Sequence, residues 1–159
     1  MNNKLLVGLS YIGSQQAATT QRTNYVINKI LDYCATYAVD GILYFSRDMV
    51  LCAHSDAGFH NEIKGRSRSG AHILLSENDA MPRWNGTVLT LNKTIKFVMS
   101  SASGAELGSL FITAQEMVAM RQTLEEIKWP QPKSPIQTDN SAASGVVNNN
   151  IFPRKLKTM

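Results

Sequence analysis

From Leu107 to Ile127, apolar residues return at three- and four-residue steps: Leu107, Leu110, Phe111, Ala114, Met117, Val118, Leu124 and Ile127. That spacing predicts one long helix with a buried face. Trp129-Pro130 stops it, because a residue before proline avoids helical dihedrals. A helix of this kind needs a surface to lie on, and the segments before it supply β-prone pieces. Gly70–Leu75 (GAHILL) is a nearly unbroken apolar run and reads as a buried strand. Ile42–Phe45 and Met49–Ser55 flank the turn Ser46-Arg47-Asp48 and read as a hairpin. Asp56-Ala57-Gly58 reads as a turn that ends the second of these strands, with a polar stretch running on to Ser69. Val88–Leu91 and Ile95–Met99, separated by Asn92-Lys93, read as pieces of one bent strand. Beyond the long helix come a rigid connector, WPQPKSP, a short strand Ile136–Thr138 and a short helix Asn140–Val147.

A further helix leads the chain. Val26, Ile27, Ile30, Leu31, Cys34 and Tyr37 share one face of Gln21–Ala38, with Thr19 or Thr20 as its cap and Asp40-Gly41 as its end. Residues 1–20 carry little pattern. Strands arriving as an antiparallel run and then alternating with helices predict an α/β chain of the α+β kind, a mixed sheet with helices packed on it.

Composition narrows the classes. The chain has 159 residues, the size of one domain with a short appendage, and 43% are apolar, enough for a core. Sixteen basic and twelve acidic residues give +4, which suits an anionic partner without establishing one. No apolar run approaches the ~18 residues of a membrane span, and MNNKLLVGLSYIGSQQ makes a poor signal peptide. Cys34 and Cys52 lie far apart with no CxxC partner, which argues against a disulfide framework or a cysteine zinc site. An intracellular location, cytoplasmic or nuclear, is expected.

Three acids occupy a special kind of position. Asp56 ends a strand, Glu106 falls in the first turn of the long helix, and Asp139 ends the strand Ile136–Thr138. A mixed sheet can bring adjacent strand ends and a helix start together. Carboxylates gathered there bind hard divalent cations. Two such ions can activate a water and stabilise a leaving oxygen in phosphodiester cleavage. Each acid also has a plain structural reading: Asp56 as a turn residue, Glu106 as a capping box with Ser103, Asp139-Asn140 as a strand-to-helix cap. Lys64, Arg66 and Arg68 alternate with small residues and share one face of an extended backbone, as phosphate contacts or as a solvated strand edge. Asn140 could reach a sugar hydroxyl or cap a helix. Arg154, Lys155 and Lys157 form a second basic cluster, read as a frayed tail.

His54, His60 and His72 have no third ligand near in sequence, so zinc is not expected. His54, two residues before Asp56, shares its strand face. No Ser-His-Asp arrangement and no GxxxxGK[ST] loop is present.

The segments around the three acids resemble the RNase H domain of Copia-type retrotransposon polyproteins. They are His54-Ser55-Asp56-Ala57, then Lys64-Gly65-Arg66-Ser67-Arg68-Ser69-Gly70, then Met99-Ser100-Ser101-Ala102-Ser103-Gly104-Ala105-Glu106-Leu107, then Thr138-Asp139-Asn140. Their order matches the family's SDA, basic K-to-SG stretch, S-x-x-x-A-E and TDN motifs. Upstream, Ile30-Leu31-Asp32-Tyr33-Cys34-Ala35-Thr36 resembles the helix joining the reverse transcriptase to RNase H. The resemblance runs from about Gly13 to Met159. It implies a connection segment and helix over residues 1–38 and an RNase H-like domain over 39–159. In that fold the strands Met49–Ser55 and Ile136–Thr138 are parallel neighbours. It further implies Mg2+ or Mn2+ held by Asp56, Glu106 and Asp139, which would be the catalytic acids. The substrate would be an RNA–DNA hybrid contacted by Lys64, Arg66, Arg68 and Asn140, and a polymerase domain is an implied partner. The family's fourth acid, in a K-x-I-D segment, would fall just past Lys157-Thr158-Met159. On that account the domain is expected to be C-terminally incomplete, with cleavage impaired; the alternative is a non-catalytic nucleic-acid-binding module or a degenerate retroelement fragment.

Overall fold

A computed structural model describes residues 5–39 and 41–149. The chain divides into two compact units, Met1–Leu43 and Tyr44–Met159.

The first unit holds two helices, α1 (Leu6–Ser14) and α2 (Gln21–Thr36). Thr20 caps α2. Its hydroxyl accepts from the Thr23 amide at 3.3 Å, and the Thr23 hydroxyl accepts from the Thr20 amide at 3.1 Å. This is a capping box with threonine in the place usually held by Glu or Gln. Gly8 lets α1 approach α2, since a Cβ there would stand 2.8 Å from Ile30 Cδ1. The sequence pattern does not reveal α1. Its segment, LVGLSYIGS, has no charged face and carries two glycines, so neither periodicity nor propensity marks it. Asp40, expected to end α2, lies outside the described residues.

The second unit is a mixed α/β layer structure. Its sheet has the order β3-β2-β1-β4. The strands are β1 (Val50–Glu62), β2 (Arg66–Ser76), β3 (Thr87–Thr94) and β4 (Ile136–Gln137). β1 and β2 are antiparallel, as are β2 and β3. β4 runs parallel to β1, pairing Ala53 with Ile136 and His54 with Gln137, as expected for these two segments. Two helices follow the sequence reading closely: α3 (Ala102–Glu126) lies across β1 and β2, and α4 (Ser141–Val147) closes the described chain. Leu51, Ala53, Ala71, Ile73, Leu91 and Met117 form the core between sheet and α3.

Four expectations are corrected. Ile42–Phe45 is not a strand. Both edges of β1 are taken, one by β2 and the other first by a side chain and then by β4. The Leu51 amide donates to Gln131 Oε1 at 2.8 Å, and Gln131 Nε2 donates to the Met49 carbonyl at 3.2 Å. The start of the second unit instead lies against the β3 end, where Tyr44 Oη donates to the Thr87 carbonyl at 2.9 Å and the Phe45 amide donates to Asn85 Oδ1 at 2.7 Å. Asp56-Ala57-Gly58 is not a turn either. It lies inside β1 and pairs with Gly70, Ser69 and Arg68 of β2. The chain reverses later, in a single 3-10 turn at Ile63–Gly65, where Lys64 and Gly65 both have positive φ. Ile95–Met99 is not extended β3. The Ile95 amide still reaches the Ser67 carbonyl at 2.8 Å, and then the chain leaves the sheet.

The fourth correction concerns α3. Its cap is Ser101, whose hydroxyl accepts from the Gly104 amide at 3.0 Å, so Glu106 sits in the second turn and forms no capping box with Ser103. Its buried face is Ala105, Glu106, Ser109, Leu110, Thr113 and Met117. Phe111, Val118 and Ile127 are 63%, 56% and 65% exposed. The polar residues went inward because the sheet beneath them offers hydroxyl partners. The helix ends in a Schellman arrangement, with Lys128 at φ 68° and the Trp129 amide donating to the Leu124 carbonyl at 2.9 Å.

Candidate metal centre

The parallel register of β1 and β4 prepares the site. His54 pairs with Gln137, and two residues further along each strand direction stand Asp56 and Asp139. Asp56 is still within β1, while Asp139 lies in the loop between β4 and α4. α3 supplies the third acid. Ser109 Oγ donates to the Asp56 carbonyl at 2.8 Å, which fixes α3 over this stretch of β1 and presents Glu106, nearly one turn earlier, to Asp56. Each of Asp56, Glu106 and Asp139 offers a carboxylate oxygen, and these oxygens lie within 4.8 Å of one another. The three acids read from the sequence are therefore brought together.

Asp56 and Asp139 are exposed, whereas Glu106 is 6% exposed. The Ala57 amide is shared between two of the acids, donating to Asp56 Oδ1 at 2.8 Å and to Glu106 Oε1 at 3.2 Å. Glu106 Oε2 is buried and makes no hydrogen bond. Burial pushes the Glu106 carboxyl above its ordinary value, and the nearby carboxylates of Asp56 and Asp139 push the same way. The Ala57 amide and the Thr138 hydroxyl oppose the shift. A buried carboxylate oxygen without a donor, beside two more carboxylates, is costly unless a cation or a proton completes it. Hard divalent ions take such oxygen ligands, so the donor set fits a metal ion.

The basic residues are dispersed. Lys64 is exposed at the reversal after β1, in a left-handed conformation, so it does not share an extended strand face with the other two. Arg66 is exposed at the start of β2. Arg68 is 8% exposed; its guanidinium is ion-paired with Glu62 and donates to Asn92 Oδ1 at 2.8 Å. Asn140, next to Asp139, caps α4, its Oδ1 accepting from the Ala143 amide at 2.9 Å. Arg154, Lys155 and Lys157 lie outside the described residues.

His54 and His72 pair across β1 and β2, and Trp84 stacks on His54 at 3.7 Å between ring centroids. His60 lies against the later part of the segment 95–101, its Nε2 2.8 Å from the Met99 carbonyl. Among the described residues, no histidine or cysteine joins a cluster of three potential ligands.

The sequence reading missed the hydroxyl seam under the site. Ser109 Oγ lies 2.9 Å from Ser55 Oγ and 2.8 Å from Ser69 Oγ, and Thr113 Oγ1 donates to Ser55 Oγ at 3.2 Å. Its signal was present in the helical spacing of Glu106, Ser109 and Thr113, a polar stripe on the side of α3 that carries the acid.

No family model, curated protein or solved structure matches the chain. Among the described residues, no helix is long and apolar enough to cross a membrane.

Proposed function

We propose that residues 39–159 form an RNase H-like nuclease domain that cuts the RNA strand of an RNA–DNA hybrid with Mg2+ or Mn2+. The observation that carries this reading is the convergence of Asp56, Glu106 and Asp139, from β1, α3 and the loop after β4, to within 4.8 Å. The motifs holding these acids are also the ones that resemble the Copia-type RNase H family. In this reading the segment 1–38 is the connection to a polymerase domain.

Asp56, Glu106 and Asp139 would hold the ion, which when bound supplies an activated water and stabilises the leaving oxygen. The chain's own residues arrange the rest. The Ala57 amide holds the Asp56 and Glu106 carboxylates side by side. The exposure of Asp56 and Asp139 leaves the cluster open to a phosphate from solvent. Lys64 and Arg66, both exposed, neutralise phosphates along the bound strand.

The test is cleavage of an end-labelled RNA–DNA hybrid by the chain and by Asp139→Asn, with magnesium and with a chelator. The reading expects metal-dependent cleavage of the RNA strand that Asp139→Asn abolishes while hybrid binding persists. Hybrid binding without cleavage by either protein would assign the domain a non-catalytic, nucleic-acid-binding role.

A further inference from the structure

Beyond the acids, β1 continues for six residues to Glu62, and the far end of the β1–β2 hairpin is met by the segment 95–101 on its way to α3. Two contacts join them: His60 Nε2 lies 2.8 Å from the Met99 carbonyl, and the Ile95 amide donates to the Ser67 carbonyl at 2.8 Å. The surface they share is apolar and aromatic. Phe97 is 76% exposed, Ile63 68%, Val98 61% and Phe59 38%, and the Phe59 ring stacks on His60 at 3.8 Å. A Cβ on Gly65 would touch Val98 Cγ1 at 4.0 Å, so the turn and the crossing segment form one continuous lip.

The charge on this lip has one sign. Lys64, Arg66 and Lys96 are exposed, and the nearby acid Glu62 is already paired with Arg68. Phe59 is three residues past Asp56 on the same strand, roughly 10 Å by the rise of a β-strand. Exposed rings set among exposed cations suit a nucleic acid whose bases are unstacked. A duplex keeps its base faces to itself and would use only the charges.

We propose that this lip binds a single-stranded nucleic-acid segment adjoining the acid cluster, with bases stacked on Phe97 and Phe59 and phosphates held by Lys64, Arg66 and Lys96. The proposal rests on the nuclease reading only for what lies at the cluster. It makes the preferred substrate a hybrid that continues into a single strand, rather than a blunt one.

The experiment is fluorescence anisotropy with three probes: a blunt RNA–DNA hybrid, the same hybrid with an oligothymidine overhang, and oligothymidine alone. Each is titrated with the wild-type chain, Phe97→Ala, and Lys64→Gln/Arg66→Gln, and cleavage of the two hybrids is followed in parallel. The overhang should tighten binding, and Phe97→Ala should remove that gain, a loss of about fivefold or more for one stacking ring, while leaving blunt-hybrid affinity unchanged. Lys64→Gln/Arg66→Gln should flatten the salt dependence of oligothymidine binding, by about 0.7 in log–log slope per charge. Oligothymidine bound through Phe97 with no hybrid cleaved would support the lip and overturn the nuclease reading. Equal affinity for blunt and overhang hybrids, with cleavage intact, would overturn the lip and leave the nuclease. If Phe97→Ala instead dissociates a dimer without changing oligothymidine binding, the face is a self-association surface and the proposal falls.

Discussion

The Ser109 hydroxyl donates to the backbone carbonyl of Asp56 across 2.8 Å, joining α3 to the residue whose carboxylate opens the acidic cluster. That donation sets the direction of the whole seam. With its proton spent on Asp56, Ser109 accepts from Ser55 and Ser69, and Ser55 in turn accepts from Thr113. Ser55, Ser69, Ser109 and Thr113 are 4%, 0%, 0% and 0% exposed, so solvent cannot replace a lost partner.

Ser109→Ala strands the hydroxyls of Ser55 and Ser69. At about 1–3 kcal/mol for each buried group left unpaired, the variant should lose about 2–6 kcal/mol in urea denaturation. Adding Ser55→Ala and Ser69→Ala to it should cost less than the sum of the separate substitutions, because the stranded donors disappear with them. Additive losses across the set would mean that the hydroxyls act independently and the seam is not a network.

The seam also explains where the sequence was legible and where it was not. The three acids were legible through the motifs around them rather than through local rules, since Asp56 lies inside β1 and Glu106 in the second turn of α3, and only Asp139 follows a strand end. The register of His54 with Gln137 then carries Asp56 and Asp139 to the same end of the sheet. The rotation of α3 was not legible. Apolar periodicity pointed Phe111 and Val118 inward, yet the sheet under α3 presents Ser55 and Ser69, so Ser109 and Thr113 face it. β1 was cut short for a related reason. Ser-Asp-Ala-Gly has turn composition, but its pairing with β2 supplies the ladder hydrogen bonds that hold it extended.

Glu106 should make the stability of the metal-free chain fall with rising pH. Its folded-state value is raised above the ordinary 4.5, so between that value and the raised one the folded chain holds a proton that the unfolded chain has released. Stability from this group is complete below about pH 4.5 and is lost as pH climbs through the raised value. Glu106→Gln should therefore melt higher than wild type at pH 7 without metal, the difference vanishing toward pH 4. Magnesium should reverse the order. At about one hundred times its dissociation constant it stabilises a one-site protein by about 2.7 kcal/mol, and the variant should gain far less. Thermal melts with chelator and with magnesium, at both pH values, check the sign; an unchanged wild-type midpoint in magnesium would remove the metal site.

His54 and His72 impose the opposite slope. Burial lowers both imidazoles below their ordinary value of 6.5, and His72 lowers His54 further by charge repulsion. Between the lowered values and 6.5 the unfolded chain binds protons that the folded chain does not, so stability rises with pH up to about 6.5 and then levels. His54→Phe keeps a ring under Trp84 while removing one titration. It should shallow the slope of urea midpoint against pH below 6.5, and the pH dependence of Trp84 fluorescence should weaken with it. A slope unchanged in His54→Phe would place the proton uptake elsewhere.

Lys64 carries the last prediction, because there backbone conformation and charge pull apart. Its φ of 63° and ψ of 31° put a lysine in the left-handed region beside Gly65 at φ 66°, where the β1–β2 hairpin reverses. A side chain with Cβ costs about 1–2 kcal/mol in that region, whereas glycine enters freely and gives back some of the gain as unfolded-chain entropy. Lys64→Gly should consequently stabilise the chain by about 0.5–1 kcal/mol. It should also weaken hybrid binding and reduce the log–log salt slope by about 1, the signature of one lost phosphate contact. Lys64→Asn, which tolerates the same backbone region without charge, should reproduce the loss of binding. A more stable Lys64→Gly with undiminished affinity and slope would show that Lys64 makes no phosphate contact. A destabilised Lys64→Gly would show that its side chain supports the turn.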